Sequence, residues 1–488
     1  MNQLFLSRNR SPLGLTGPPL WHGVAAFWIS SRLVTAALVA VVACSGTTFA
    51  ADRTGPIAVL DFELRGTPIQ TLDDNDVEVK GTLRVFKNHT TPLLPDSNLD
   101  LDKLRADIPA PAVDIDIKRR GSSSKYHPKK SYSLDFKIPV KLLGMPLEQE
   151  WVLHSCWADK TCLRNVIGYW QAKKLFSWAP RTEFAEVFIN GQYRGLYVVV
   201  EKVKLSPSRV KLPPPTDNAF NGEITGTYIL KRDGDDRDFD WKSSLDPLCI
   251  HPPKLHCLRW WFVSPKRTLT EVQKDYIKHY MDVSFESKFF PPSVSYDPYE
   301  YDEWMDERSA VDFVIIQEIA NNVDAYWKSM HITKQRLYPG NDLIHMGPIW
   351  DLDLAFSNYN DPEVEAHEQL CATDSWRMEK AGHFQPLREM WKVPQFRRAI
   401  YDRWRALRID GSVSRSRIDR KIDDSAARIE AARTRDNAKW KTLGRKTWVE
   451  CWNRDEYRLE IGELKKWIRA RITWMDQQIL GDWRFRNP

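Results

Sequence analysis

Hydrophobic side chains in this sequence repeat with two different periods, and the period changes once along the chain. Short runs between residues 57 and 136 alternate apolar and polar residues, which is the pattern of half-buried strands in an antiparallel sheet. From residue 269 onward the apolar residues recur at helical spacing instead. The predicted fold class is therefore α+β, with an N-terminal antiparallel β-rich lobe and a largely helical C-terminal part.

The individual elements follow from the same two periods. The predicted strands cover residues 58–64, 77–86, 113–118, 132–137 and 227–233. A β-hairpin is predicted over residues 184–203, because two apolar runs flank Asn190-Gly191, the pair that a type I′ turn prefers. The predicted helices cover residues 271–281, 303–320, 387–407, 414–439 and 456–479, with a further helix leading up to residue 176.

Domain boundaries are predicted where composition and period change. We expect a targeting segment over residues 1–50, a β-rich N-terminal region over 56–143, a core over 144–357 and a helical region over 358–488. Within the core, residues 234–265 contain a pair of cysteines and two adjacent tryptophans, which predicts an insertion with a small cap of its own.

The first 50 residues have the composition of an export signal. Basic residues precede an apolar run from Leu33 to Ala43, and no acidic residue occurs before Asp52. The run is too short for a comfortable membrane span of about 20 residues. Cleavage after Ala50 and lipidation at Cys44, which follows a lipobox-like Val-Val-Ala, are both compatible with the pattern, as is an uncleaved anchor. The predicted location is the cell envelope, through a lipid anchor or in the periplasm, or outside the cell.

Six cysteines follow Cys44, and an even number in an exported chain predicts disulfides. Spacing pairs Cys156 with Cys162 and Cys249 with Cys257, which leaves Cys371 to pair with Cys451. A zinc site is a weaker alternative, because the chain has no C-x-x-C motif.

Overall composition excludes some classes of function. The formal net charge is +6 from 71 basic and 65 acidic side chains, a mild balance for 488 residues that argues against a dedicated nucleic-acid binder. The 21 tryptophans fit aromatic core packing, although a carbohydrate-processing surface with paired Asp residues stays open.

Two acidic stretches and one basic loop are the candidate site. Asp351 and Asp353 lie two apart in an apolar run, and on an extended backbone both would face the same side. Buried together, two carboxylates need a cation, a basic partner or solvent. We expect them to converge with Asp324 on one metal-dependent site. The loop 119–130, with five cationic residues around Gly121, is suited to polyphosphate, although a solvated basic hairpin explains it as well.

Several short motifs, taken in order, resemble the spore coat protein H (CotH) kinase family. They fall between about residue 56 and residue 357, with a similar closing helix at residues 467–476. The matching stretches are Arg120-Gly-Ser-Ser, Pro128-Lys-Lys-Ser-Tyr132, Trp151-Val-Leu-His154, Leu163-Arg-Asn165, Asn190-Gly191, Gly195-Leu-Tyr197, Glu201-Lys202, Tyr228-Ile-Leu-Lys231, Asn322-Val-Asp324 and Pro348-Ile-Trp-Asp-Leu-Asp353.

The resemblance implies an atypical protein-kinase-like fold that binds ATP and Mg²⁺ or Mn²⁺. By position, Asp324 matches the catalytic Asp and Asp351 the metal-binding Asp, with Asp353 in the same motif. Ser329 stands where many members have a metal-binding Asn, and a hydroxyl is a poorer ligand. Nucleotide contacts would come from the residues Arg120, Lys130, Glu201 and Lys202.

The chemistry agrees with this resemblance, since phosphoryl transfer needs cations, a carboxylate-held metal and an Asp that orients the acceptor. No Walker A or G-x-G-x-x-G motif is present, which excludes an ordinary P-loop or typical kinase. The predicted function is an exported kinase that phosphorylates Ser or Thr of envelope or secreted proteins. The alternative is a non-catalytic envelope or coat protein that retains the fold.

Overall fold

The computed structural model describes most of the chain from residue 57 onward. The described residues are 57–87, 98–215, 223–233, 239–243, 259–288, 298–335, 343–360, 371–380, 384–448 and 450–486. All of them fall in one unit, Asp52–Pro488. The predicted export signal with Cys44, most of the predicted insertion, and the cysteines Cys249 and Cys257 lie outside the described residues.

Seven strands close into a barrel in the order β1-β2-β3-β4-β5-β7-β6. Neighbouring strands are antiparallel except β1 and β6, whose parallel pairing closes the barrel. The strands are β1 (Ala58–Glu63), β2 (Glu78–Phe86), β3 (Val113–Arg120), β4 (Ser131–Val140), β5 (Glu148–His154), β6 (Thr182–Ile189) and β7 (Gln192–Glu201). The barrel takes strands from both sides of the boundary predicted near residue 143.

The apolar residues of the alternating sequence pattern fill the barrel interior. Successive side chains of a strand point to opposite faces, so every second residue faces inward. Ile115 and Ile117 of β3 and Tyr197 and Val199 of β7 belong to the same buried cluster. Strand β7 is apolar on its other face too, because Val198 packs in a second cluster with the helices.

The β6–β7 hairpin turns at the predicted residues. Asn190 and Gly191 have φ values of 50° and 75°, the left-handed conformation that a type I′ turn requires. The Asn190 side chain also accepts a hydrogen bond from the backbone N–H of Leu64 and donates one to the carbonyl of Thr67. Asn at this position therefore stabilises the turn and ties it to the end of β1.

A second sheet of five strands lies outside the barrel, in the order β12-β11-β8-β10-β9. Its strands are β8 (Tyr228–Arg232), β9 (Trp241–Lys242), β10 (Arg259–Ser264), β11 (Met330–Lys334) and β12 (Ile344–Met346). Only β8 was predicted from the sequence. Strands of two or three residues, such as β9 and β12, are too short to show a period, and β10 and β11 were missed.

Helices make up most of the described C-terminal part. The helices are α1 (Ile69–Asp74), α2 (Asn98–Asp107), α3 (Arg164–Ala172), α4 (Glu271–His279), α5 (Glu307–Ala320), α6 (Arg377–Lys380), α7 (Gln385–Lys392), α8 (Pro394–Ile409), α9 (Arg415–Trp440), α10 (Tyr457–Gly481) and α11 (Trp483–Arg486). The helix predicted over 387–407 is in fact two helices, since Pro394 begins α8 and has no N–H for a preceding turn.

The structure confirms the α+β class, the β-rich N-terminal lobe and the helical C-terminal part. The predicted antiparallel sheet differs in being a closed barrel with one parallel pair. The kinase-like character of the fold stays a prediction.

Among the described cysteines, the structure confirms one predicted disulfide and contradicts another. Cys371 and Cys451 are bonded, which ties the segment after the acidic motif to the loop before α10. Cys156 and Cys162 are both buried free thiols, so the predicted bond between them is wrong. Burial and the adjacent Cys162 thiol raise the pKa of Cys156 well above its usual range, which keeps it protonated.

Candidate functional site

The acidic motif does not have the extended backbone that the sequence pattern predicted. Strand β12 ends at Met346, Asp351 has a left-handed φ of 60°, and a turn follows over residues 353–357. The two carboxyl groups nevertheless lie close together, since Asp351 is near enough to raise the pKa of Asp353. The turn therefore brings the carboxyl groups together, where the prediction relied on strand alternation.

Helix α3 holds this acidic turn through backbone contacts. The Asp351 N–H donates to the hydroxyl of Tyr169 (3.0 Å), and the Leu352 N–H donates to Oδ1 of Asn165 (2.7 Å). Arg164 donates from Nε to the carbonyl of Ala355 (3.1 Å). Asn165 and Tyr169 lie four positions apart and so share one face of the helix, while Arg164 lies in its first turn. The start of α3 thus fixes the conformation of the turn.

Two small details make the contact between α3 and the turn possible. A Cβ atom at Gly168 would lie 2.1 Å from Cδ1 of the buried Leu352, so the close approach requires glycine. Asp159 accepts hydrogen bonds from the backbone N–H and the guanidinium of Arg164, which orients that side chain toward the turn. Arg164 is fully buried, and its guanidinium contacts Asp159 and the acidic turn.

The acid pair is electrostatically unstable without a proton or a cation. Burial first, and then the charge and hydrogen bond of Asp351, raise the pKa of Asp353 well above its usual range. His154 Nε2 lies 3.8 Å from Asp353 Oδ2, but burial lowers the pKa of His154, so the imidazole favours its neutral form. His154 in its neutral form therefore does not balance the negative charge of the pair, and a proton or another cation must do so.

Asp324 follows helix α5 and lies in the same electrostatic neighbourhood. The helix ends at Asn321, which takes the left-handed conformation at φ 42°. Burial raises the pKa of Asp324 to about 7, with further increases from Asp351 and Asp233 and an opposing effect of Lys328. A carboxylate with a pKa near neutrality is suited to accept a proton from a hydroxyl group.

Ser329 lies against the acid pair. Its hydroxyl donates to Asp351 Oδ2 at 3.4 Å, and its backbone N–H donates to Oδ1 of Asp233 at 3.4 Å. The structure therefore places Ser329 beside Asp351, and it adds Asp233, which the sequence-based selection did not include.

The basic loop contributes one residue to this neighbourhood. Arg120 ends strand β3, and its guanidinium lies 5.6 Å from the centre of the Trp350 ring. Burial lowers the pKa of Arg120, while the charges of Asp351, Tyr169 and Asp353 oppose that shift. The cation thus faces the acid pair across the site.

The other three predicted nucleotide-contact residues have partners of their own. The Lys130 ammonium donates to the carbonyl of Lys125 at 3.0 Å. Glu201 is fully buried and forms a two-point ion pair with Arg181. Lys202 pairs with Glu150 at 2.5 Å on the neighbouring barrel strand. Their roles in nucleotide contact stay predictions.

The donor set suits a metal that is shared with a phosphate ligand. Among the described residues, no group of three or more His, Cys, Asp or Glu side chains is arranged to hold a metal ion. Mg²⁺ is typically bound through one or two carboxylates together with substrate phosphates and waters, so a complete protein cage is not required. Asp351 and Asp353, with the Ser329 hydroxyl beside them, fit that kind of site.

The sequence analysis did not assign Tyr169 or His154 to this site. A tyrosine inside an amphipathic helix and a histidine at a strand end resemble ordinary core residues. The useful signal was the i, i+4 spacing of Asn165 and Tyr169 on one helix face.

The described structure defines an α+β protein with a barrel, a second sheet and a partly buried site of carboxylates and an arginine at their junction. The chain belongs to the CotH kinase family, since the family model described as CotH kinase protein matches residues 117–475. The chain is also similar to "Inner spore coat protein H" of Bacillus subtilis (strain 168), with 34% identity over 116 residues. That match covers 21% of this chain and 31% of the relative.

Among the described residues, no helix combines the length and the apolar composition that crossing a bilayer requires.

Proposed function

We propose that this protein is a metal-dependent phosphotransferase that moves the γ-phosphate of ATP to Ser or Thr hydroxyl groups of envelope or coat proteins. The observation that carries the proposal is the close Asp351–Asp353 pair, with the Ser329 hydroxyl 3.4 Å from Asp351 Oδ2 and the Arg120 guanidinium 5.6 Å from the centre of the adjacent Trp350 ring. Asp324 is close enough for the charge of Asp351 to raise its pKa. Membership of the CotH kinase family supports it.

Each residue has a role that its environment supports. Arg120 binds phosphate oxygens, because its half-buried guanidinium faces the site and carries a fixed charge. Asp324 accepts the proton of the acceptor hydroxyl, since its pKa of about 7 lies near the working pH. Tyr169 and Asn165 hold the turn that presents Asp351. Precise positioning of this kind supplies much of the catalysis in phosphoryl transfer.

Asp351 and Asp353 would hold Mg²⁺ or Mn²⁺, with Ser329 as a weaker oxygen donor. When bound, the metal neutralises phosphate charge. A bound cation would offset the burial and the like charge of Asp351 that together raise the pKa of Asp353. ATP and the metal are therefore expected to bind together, since each supplies ligands or charge that the other needs.

We propose export as the route to this substrate class, with the N-terminal segment as signal and Cys44 as one possible lipid-anchor position. The supporting observations are the basic-then-apolar composition before Asp52, the Cys371–Cys451 disulfide, and the coat location in the printed name of the Bacillus subtilis relative.

A thermal-shift titration with ATP plus Mg²⁺ or Mn²⁺ tests the proposal, with Asp351→Asn compared with wild type. We expect the Tm of wild type to rise with ligand, and the rise to be lost in Asp351→Asn, because ligand binding stabilises only a competent folded state. Asp419→Asn on helix α9 is the matched control. Transfer of label from γ-labelled ATP to an envelope extract then measures activity. The proposal fails if neither nucleotide binding nor label transfer depends on Asp351.

A second candidate is a non-catalytic coat or envelope protein that retains the fold. Ser329 favours it, because a hydroxyl is a poorer metal ligand than the amide that many family members have at this position. This candidate predicts no nucleotide-dependent rise in Tm for wild type. Ser329→Asn distinguishes the two, since an active enzyme with a weak ligand should bind metal more tightly after that change.

A further inference from the structure

Three loops that are far apart in the sequence meet beside the acid pair and form a cationic aromatic surface. The loops are residues 121–130, 155–163 and 440–448. The half-buried rings of this surface are those of His127, Trp440 and Trp448, and the buried Trp157 lies beneath them. Its cations are Lys441, Arg445 and Lys446, which are all exposed.

Ring contacts hold these loops against one another. His127 packs edge-on against Trp448 with ring centres 4.9 Å apart, and Trp157 packs edge-on against Trp440 at 6.2 Å. The Arg445 guanidinium lies 5.6 Å from the centre of the Trp157 ring, and it donates to the carbonyl of Trp440 at 2.8 Å. The exposed cations therefore belong to a loop that ring contacts hold in place, whereas the cations of a solvated tail have no fixed position.

The positive charge of this surface is not balanced locally. The nearest acids along the chain, Asp436 and Glu450, are buried and paired with Lys129 and Lys160 respectively. In the part of the chain that the structure describes, no carboxylate forms an ion pair with Lys441 or Lys446. The exposed acid beside the loop is Asp455, which lies near Gly444. Three exposed cations thus face solvent with one neighbouring carboxylate.

The surface is connected to the candidate site. The loop 121–130 directly follows Arg120, and the loop 155–163 directly follows His154, whose Nε2 is 3.8 Å from Asp353 Oδ2. A chain segment that lies across the rings could therefore present a side chain to the acid pair. Direct continuity with the site distinguishes this surface from the many cations elsewhere on the molecule.

We propose that the cationic aromatic surface docks an acidic segment of the protein that is phosphorylated, with the acceptor hydroxyl flanked by Asp or Glu. The proposal rests on the proposed function and specifies its substrate class. Charge complementarity favours an acidic polypeptide, because carboxylates spaced along an extended chain match separate lysines. Three exposed cations are too few for a nucleic-acid backbone, and the net charge of +6 agrees.

Direct binding of a labelled Ser peptide flanked by Glu tests the proposal without any need for catalysis. Fluorescence anisotropy is measured on the full chain for wild type and for Lys441→Glu/Lys446→Glu. We expect about a tenfold weaker affinity in the variant, because reversing two exposed charges removes several weak ion pairs at once. The affinity of wild type should also fall as ionic strength rises.

The matched control is Lys80→Glu/Lys141→Glu, which makes the same change in net charge at exposed positions on the barrel side. The proposal is supported if this control binds the peptide as wild type does and both variants keep the wild-type Tm. Equal weakening in both variants would overturn it, since a general charge effect would then explain binding.

Two further outcomes would also overturn it. One is tighter binding of a Lys-flanked peptide or of an oligonucleotide than of the Glu-flanked peptide. The other is loss of ATP affinity in Lys441→Glu/Lys446→Glu, which would assign the surface to the nucleotide. If the peptide binds as expected but wild type transfers no phosphate, the docking surface stands and the proposed kinase activity fails.

Discussion

Asp324 shows how strongly one residue depends on its surroundings. It follows helix α5, which ends at Asn321 in the left-handed conformation. Burial, and then the like charges of Asp351 and Asp233, raise the pKa of Asp324 to about 7. The pKa of an unfolded Asp is about 3.9, so the folded state binds this proton more tightly than the unfolded state does. The stabilisation from that proton is complete below about pH 4 and is lost as the pH rises through about 7.

Asp324→Asn removes this pH dependence. We expect the variant to be more stable than wild type at pH 8, by up to about 4 kcal/mol, because a neutral amide does not carry the buried charge. The difference should shrink as the pH falls toward 4. Urea unfolding of both proteins between pH 4 and pH 8, without divalent metal, measures it. A difference that stays constant with pH would contradict the raised pKa.

At the scale of elements, the barrel and helix α9 join through a glycine. Gly195 of β7 has a φ of 100°, and a Cβ atom there would lie 2.1 Å from Oδ1 of Asp436 on α9. That oxygen accepts hydrogen bonds from the Leu196 N–H and from the buried Lys129 ammonium. Because Gly195 has no side chain, the Asp436 carboxylate of α9 can reach the backbone of β7.

Gly195→Ala should therefore destabilise the protein by about 2–4 kcal/mol, since it adds left-handed strain to the displacement of a buried, bonded carboxylate. Denaturant unfolding measures the loss. Gly191→Ala is the matched control, because Gly191 also has a positive φ but a Cβ atom there meets nothing within 4 Å. We expect about 1–2 kcal/mol for this control. Equal losses in both variants would mean that the contact with Asp436 contributes nothing.

At the scale of the whole molecule, long-range contacts fasten the C-terminal helices to the site. The buried Arg471 of α10 donates to the carbonyl of Glu318 at 2.7 Å and pairs with its carboxylate at 3.0 Å. Glu318 also accepts from the hydroxyl of Tyr326, two residues after Asp324. The Cys371–Cys451 bond joins segments 80 residues apart in the same region. These contacts connect the closing helix to the loop that carries Asp324.

Removal of the disulfide in Cys371→Ser/Cys451→Ser should cost about 2–4 kcal/mol, since a long closed loop restricts the unfolded chain. We also expect weaker binding of ATP with metal, because the Cys371 carbonyl accepts from Ser357 and from Trp467 and so anchors the chain after the acidic turn. Urea unfolding and thermal-shift titration measure the two effects. Reduced wild type is the control and should match the variant. A reductant that further destabilises the variant would assign the effect to other cysteines.

The parts of the fold that depend on neighbouring residues in the sequence were predictable. The hairpin at Asn190-Gly191 and the long helices α9 and α10 have periods or turn residues that no tertiary contact overrides. Closure of the barrel was not predictable, because the parallel pairing of β1 with β6 joins residues more than 100 positions apart. The short strands of the second sheet also depend on pairing between distant residues, such as that of β11 with β8.

The sequence by itself determined which residue types are available to the site: Asp324, the Asp351–Asp353 pair and Arg120. Only the tertiary structure decided how they meet. Carboxylates two apart face one another here because Tyr169 and Asn165 bind the backbone of a turn, whereas the sequence pattern had predicted a strand. Those contacts span more than 180 residues, and a local pattern contains no information about such distant partners. The sequence determines which functional groups are present. Their pKa values and orientations depend on burial and on neighbours that only folding brings close.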